Sequence, residues 1–165
     1  MAEKDLSQYG EICEGIRYLT VDALIFINQQ LIRLQTPNEM IGVLKPNELS
    51  SSQQRPSQIR FYEQTNDMYR LTATLMESIV RNHPFANANK RTAAAAGFLF
   101  LLMNGYELTA PGHELVEIVL GLANGEYSCE ELESWLAHWG RDFDTRNLNA
   151  PDAWLDMFAK AFQIA

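Results

Sequence analysis

An all-α bundle of about six helices is the fold this sequence predicts, and three observations carry the prediction. Apolar residues recur at intervals of three and four through most of the chain. Residues 89–103 are apolar nearly all round, as the central helix of a bundle is. Each periodic stretch ends on a recognisable stop, at Pro37, Pro84, Asn104-Gly105, Asn124-Gly125 or Gly140. The 165 residues are 47% hydrophobic and 21% charged, enough for one domain to bury a core without disulfides or a structural metal.

The elements follow in order. Thr20 is placed to cap a first helix, with Val21, Leu24, Ile25, Leu31 and Ile32 on one face. From Pro37 to Pro56, Pro46, the Ser50-Ser51-Ser52 run and Gln53-Gln54 give no sustained period. The sequence therefore predicts a long loop or short hairpin flap near residues 37–60, extended around Ile41 to Leu44. Loops of that length inside compact domains are usually functional. A second helix is expected from about Glu63 to Asn82, burying Met68, Leu71, Leu75 and Ile79. It ends there because Pro84 drives His83 out of the α region.

The central helix runs from about Asn89 to Met103, through Ala93 to Ala96 and Phe98 to Leu102. His113 to Ala123 places Leu115, Ile118, Val119 and Leu122 on one face. Ser128 and Glu131 then form a capping box opening a helix that buries Leu132, Trp135, Leu136 and Trp139. Beyond a polar linker, Pro151 suits the first turn of a last helix carrying Trp154, Leu155, Phe158 and Phe162. That apolar face reads first as a cover for the bundle core and second as a docking surface.

Composition excludes several classes of function. Thirteen basic side chains against 21 acidic ones leave a net charge of -8, the wrong sign for a protein that neutralises a nucleic-acid backbone. No apolar run approaches the roughly 18 residues of a spanning helix, and the start carries no apolar leader. Cys13 and Cys129 stand alone, so a reducing, cytoplasmic setting is expected. His83, His113 and His138 lack zinc-ligand spacing.

One segment resists a purely structural account: His83-Pro84-Phe85-Ala86-Asn87-Ala88-Asn89-Lys90-Arg91-Thr92. Lys90 and Arg91 occupy the first turn of the most buried helix, where the macrodipole disfavours cations by roughly several tenths of a kcal/mol each. An anion on that helix end reverses the sign, and phosphate is the commonest. Asn87 and Asn89 can cap the helix, donate to phosphate oxygens, or do both. His83 is the side chain here that titrates near neutrality, which makes it the natural proton acceptor. Taken singly, these residues read more simply. His83 is then a C-terminal cap, the asparagines are ordinary caps, Lys90 and Arg91 pair with acids elsewhere, and Phe85 is an anchor in the core. Taken together they favour a phosphate site.

The segment resembles the signature of the Fic/Doc family, HxFx(D/E)GN(G/K)R, and most closely its death-on-curing (Doc) branch, where ANKRT is typical. The similarity extends from near Arg17 to Trp139, which makes 1–16 an N-terminal addition and 150–163 an additional C-terminal helix of a single domain, 1–165. The resemblance implies transfer of part of a nucleoside triphosphate, ATP or another, to a Ser, Thr or Tyr hydroxyl of a target protein. It implies His83 as the base that deprotonates the hydroxyl and Phe85 as the structural anchor. Asn89 and Arg91 would bind phosphates, with Ala88 and Lys90 at the positions that distinguish branches. Lys90 points to transfer of the terminal phosphoryl group, AMP transfer being the alternative. Asn87 stands where the family carries the acid that holds Mg²⁺. Magnesium prefers anionic oxygen, so the substitution implies a weakened metal site, in an attenuated or inactive relative, in a chain altered deliberately, or in one where another acid supplies the ligand. The resemblance further implies a small antitoxin as partner, since the self-inhibitory pattern (S/T)xxxE(G/N) does not occur.

Overall fold

The computed structural model describes residues 7–147 and 153–161. A hairpin of β1 (Gly10–Cys13) and β2 (Ile16–Leu19) leads into α1 (Val21–Gln35), α2 (Pro46–Glu63), α3 (Met68–Asn82) and α4 (Asn89–Met103). Then come β3 (Tyr106–Leu108), α5 (Gly112–Ala123), α6 (Cys129–Trp139), β4 (Gly140–Asp142) and α7 (Ala153–Ala161). The described residues thus hold seven α-helices where about six were expected, and the all-α class stands.

The axis of the bundle is α4. Every residue of it except Lys90 and Arg91 is buried, because α1, α3, α5 and α7 all pack around it. The two cations therefore mark the one end at which this helix meets solvent. At Gly97 a Cβ would lie 2.4 Å from Met76 Sδ, so the missing side chain lets α3 close tightly on α4. Caps set the helix ends. Thr20 accepts from the Ala23 amide, and Ser128 with Glu131 completes the capping box.

Four expectations need correction. The stretch 37–60 is an irregular loop only to Lys45, and from Pro46 it is helix. The buried face of α2 is Leu49, Ser52, Pro56 and Ile59, a helical spacing in which two members are not aliphatic, so periodicity of hydrophobicity misses it. Residues 41–44 form no hairpin of their own, and Val43 instead bridges Phe85. The third helix starts at Met68, not Glu63, because Asp67 caps it by accepting from the Tyr69 and Arg70 amides. Two short antiparallel pairs, β1 with β2 and β3 with β4, were not foreseen, since three or four residues are too few to show an alternation. In α6, Trp135 and Trp139 are half-buried rather than buried.

The last helix lies on the core. Trp154 and Phe158 are fully buried, Phe158 edge-on to Phe98 and Trp154 edge-on to Tyr9. Its apolar face is therefore a cover, not a docking surface. Pro151 and Phe162 lie outside the described residues.

Candidate active site

The site forms where α3 ends and α4 begins. A polar knot fixes the end of α3: Ser78 Oγ lies 3.0 Å from Ser52 Oγ, and Asn82 Nδ2 donates to Ser52 Oγ at 3.0 Å. His83 follows in the left-handed region (φ 47°, ψ 56°), its amide closing the helix on the Ile79 carbonyl. Its ring is exposed and carries no hydrogen bond among the described residues, so it is open to a substrate.

Residues 84–86 are then gripped from both sides. The Pro84 carbonyl accepts from the Leu44 and Lys45 amides at 2.9 and 3.1 Å, and the Ala86 amide donates to the Gly42 carbonyl at 2.9 Å. This ladder aims the Phe85 N–H and C=O away from Val43. Asn89 meets them there: its Oδ1 accepts from the Phe85 amide and its Nδ2 donates to the Phe85 carbonyl, both at 2.9 Å. One side-chain amide thus stands in for a third strand. The Phe85 ring is buried in the core, 2% exposed.

Ala88 is the turning point. Its φ of 63° and ψ of 29° are left-handed, and helical geometry begins at Asn89. A left-handed residue followed by a right-handed one curls successive N–H groups into a concavity that binds anions. No side chain caps the helix, and Thr92 is the first residue of α4 whose amide bonds back, to the Ala88 carbonyl at 2.8 Å. The amides of Asn89, Lys90 and Arg91 are therefore left for an external acceptor. Lys90 is exposed and has no ion pair among the described residues.

Arg91 lines the cleft and is also engaged by protein partners. One guanidinium nitrogen donates to Gln35 Oε1 and Thr36 Oγ1, and the other to Glu39 Oε1, all at 3.0 Å. The Thr36 hydroxyl and then Arg91 hold the Glu39 carboxyl below the usual carboxylate range, against the opposing effect of burial. Arg91 therefore arrives at the site already paired with an acid. Asn89 likewise has its oxygen and one amide hydrogen committed to Phe85, and serves first as a clamp.

Asn87 donates through Nδ2 to the Met40 carbonyl at 3.0 Å, tying the loop before α2 to the site. The donor set does not fit magnesium: the oxygen that Asn87 offers is a neutral amide, and the carboxylate of Glu39 is already engaged by Arg91 and Thr36. Among the described residues no three His, Cys, Asp or Glu side chains gather as metal ligands. Burial pushes the Cys129 thiol up to about 11, which removes it as a nucleophile near neutrality.

These parts share one cleft of about 460 Å³, a size that suits a small-molecule ligand. His83, Asn87, Asn89, Lys90 and Arg91 line one end. Leu115, Val116, Val119 and Leu120 of α5 form an aliphatic wall opposite, with Val116 and Leu120 exposed. Three contributions were missed in the sequence: this wall, the Gln35-Thr36-Glu39 cradle of Arg91, and Asn28. The signal for Asn28 was present. It is a polar residue on the stripe of Leu24, Leu31 and Ile32, and such a residue, once buried, needs partners.

Comparison with known proteins places the chain in a family. The family model described as Fic/DOC family matches residues 18–101, just over half of the chain. Over 75 residues the chain is 36% identical to the "Protein kinase doc" of Escherichia phage P1, covering 46% of this chain and 59% of that protein. Over 38 residues it is 50% identical to the "Toxin Doc" of Mycolicibacterium smegmatis, covering 23% of this chain and 29% of that one. The chain thus spans less than two thirds of the length of either curated relative.

Proposed function

From the premise that this chain belongs to the Fic/DOC family, we propose that it is a Doc-type toxin. It moves the terminal phosphoryl group of ATP, or another nucleoside triphosphate, to a Ser, Thr or Tyr hydroxyl of a target protein. The observation that carries the reading is the amide concavity at Ala88 and Asn89, which opens beside Lys90 into the same cleft that the exposed His83 lines. In this reading His83 takes the proton of the target hydroxyl. The freed oxygen bonds to the terminal phosphorus, and the bond from that phosphorus to the bridging oxygen breaks, releasing nucleoside diphosphate. The amides of residues 89–91 and the Lys90 ammonium hold the phosphate oxygens as charge shifts, which is the main work in phosphoryl transfer.

Val43 supports a place for the target. Its bridge to Phe85 uses the flanking residues, so its own N–H and C=O face outward as a free strand edge. An extended target segment would pair there by strand addition. A small antitoxin is the proposed restraint on the toxin. No helix among the described residues is long and apolar enough to cross a membrane.

The test is incubation of the purified chain with cell extract and ATP labelled at the α or the γ phosphate. Label entering protein from the γ position alone, and lost in His83→Ala, is the expected result. Label from the α position alone replaces phosphorylation with AMP transfer. Label from neither rejects activity in the chain as it stands.

A second reading has specific support, namely the neutral Asn87 and an Arg91 already paired with Glu39. Under it the chain binds nucleotide or a partner without catalysis. Asn87→Asp separates the two. A gain of labelling or of growth inhibition identifies a weakened enzyme, whereas ATP binding with no gain identifies a binding module.

A further inference from the structure

Asn28, 1% exposed, is a polar side chain buried beside the site, and it comes from a different helix. On α1 it sits among Ala23, Leu24, Ile27, Leu31 and Ile32, all buried. An aliphatic residue would fill this position with no desolvation cost, so the amide must find compensation. It finds it on the site loop. Nδ2 donates to the Asn87 carbonyl at 2.8 Å and to Thr92 Oγ1 at 3.0 Å, which spends both of its hydrogens. The two acceptors flank the turn at Ala88, one immediately before it and one a helical turn after.

That turn is strained. Ala88 has a Cβ in left-handed backbone, a conformation that L-residues other than glycine, asparagine and aspartate seldom adopt. Such geometry persists where surrounding contacts fix it. The peptide joining Asn87 to Ala88 is the one whose orientation sets the left-handed angle, and Asn28 holds the oxygen of that peptide inside the core. With the oxygen held inward, the following amides turn outward into the cleft.

We infer that Asn28 is a positioning residue for phosphate binding, acting by holding the Asn87 carbonyl so that Ala88 stays left-handed and the amides of residues 89–91 face the cleft. The inference rests on the phosphate-site reading for its consequence, and on the loop geometry alone for its mechanism.

The experiment uses the full chain carrying Asn28→Leu with Thr92→Val. This pair removes donor and hydroxyl together and leaves an apolar contact, so the fold is retained. Two quantities are measured: amide hydrogen exchange and chemical shifts of residues 87–91 without ligand, and affinity for ATP and for inorganic triphosphate. The expected result is faster exchange and shifted resonances at 88–91, with both affinities about tenfold weaker, the scale of one misdirected hydrogen bond to a charged group. Adding Ala88→Gly is expected to recover most of that affinity, because glycine reaches the left-handed turn without help. Unchanged resonances and affinities in the folded double variant overturn the inference, and so does a failure of Ala88→Gly to restore binding. If the double variant does not fold, Asn28→Ser, small enough to be tolerated but too short to reach both acceptors, is read by the same criteria. Failure of the unmodified protein to bind either ligand counts against the phosphate site, and the amide measurements then decide the role of Asn28 by themselves.

Discussion

Asn89 offers the sharpest discrimination between a residue that binds ligand and one that builds the place where ligand binds. In Asn89→Ala the Phe85 N–H and C=O both lose partners at 2.9 Å. The ring of Phe85 is 2% exposed and Asn89 itself 8% exposed, so water reaches the vacated groups poorly. A buried backbone group left unpaired costs about 1–3 kcal/mol, and two of them about 2–6 kcal/mol. The site loop borders the cleft and can relax toward it, which favours the lower half of that range. Even about 2 kcal/mol is a large share of the roughly 5–15 kcal/mol that stabilises a domain. For a chain of this size it lowers Tm by about 4–8 °C, or the urea midpoint by about 1 M. The assay is urea denaturation of both proteins, with ATP affinity measured where both are fully folded. A cost below about 1 kcal/mol combined with abolished nucleotide binding refutes the reasoning, because the side chain would then be serving the ligand rather than the loop.

Three other outcomes follow from the same structure. Glu39 is held below the usual carboxylate range, so its contribution to stability is complete above its unfolded-state value and is lost as pH falls through the lower folded value. The Tm difference between the protein and Glu39→Gln should therefore be constant above about pH 6 and shrink on acidification below about pH 4, as thermal melts across that range will show. Trp154→Ala should cost about 3–5 kcal/mol, because the indole is fully buried and packs edge-on against Tyr9. A loss under about 1 kcal/mol in urea unfolding would mean that α7 is a detachable flap. Of the two cysteines, exposed Cys13 should react promptly with a thiol reagent at pH 8. Cys129, buried and raised to about 11, holds roughly a thousandth of its population as thiolate at that pH. It should react only in denaturant, and equal rates for the two in the folded protein would contradict its burial.

How much of this was legible in the sequence depends on which physical signal each element carries. The axis of the bundle was readable to the residue, Asn89 to Met103, because an all-apolar helix and its Asn104-Gly105 stop are both composition signals. The N-cap at Thr20 and the capping box at Ser128 were readable because their chemistry is local. In α2 the buried stripe contains Ser52 and Pro56, and what makes Ser52 an inward-facing residue is its contact with Ser78 and Asn82, on another helix. Long-range pairing of that kind leaves no trace in a local period. The second of the short β pairs shares this property, joining residues near 107 to residues near 141.

The site divides along the same line. That residues 83–92 form a phosphate-type helix head was argued from two cations in a first turn that disfavours them. Which atoms face the ligand was not accessible to that argument, because an asparagine that clamps a loop and one that grips a phosphate are the same letter. The structure assigns the side chains of Asn89 and Arg91 to protein partners and leaves the main-chain amides and Lys90 facing outward.

This division has a consequence for how the site can change. Short of proline, no substitution removes a backbone donor, so a site built on them is tuned mainly through whatever fixes the turn. Here that means Asn28 from α1, Asn89 from α4, and the residue at 88, whose Cβ is tolerated at a cost that glycine would not carry. The charge is tuned separately. Lys90 contributes a full positive charge, while that of Arg91 is largely offset by Glu39. In the proposed reading a chain with a net charge of -8 holds a polyanion at one point, because close amides and one ammonium act at contact distance. The remaining acids, spread over the surface, are screened beyond roughly 10 Å in ordinary salt. On this account raising ionic strength should weaken phosphate binding with the shallow slope of a single cation, and a steep multi-charge slope would place Arg91 back among the ligands.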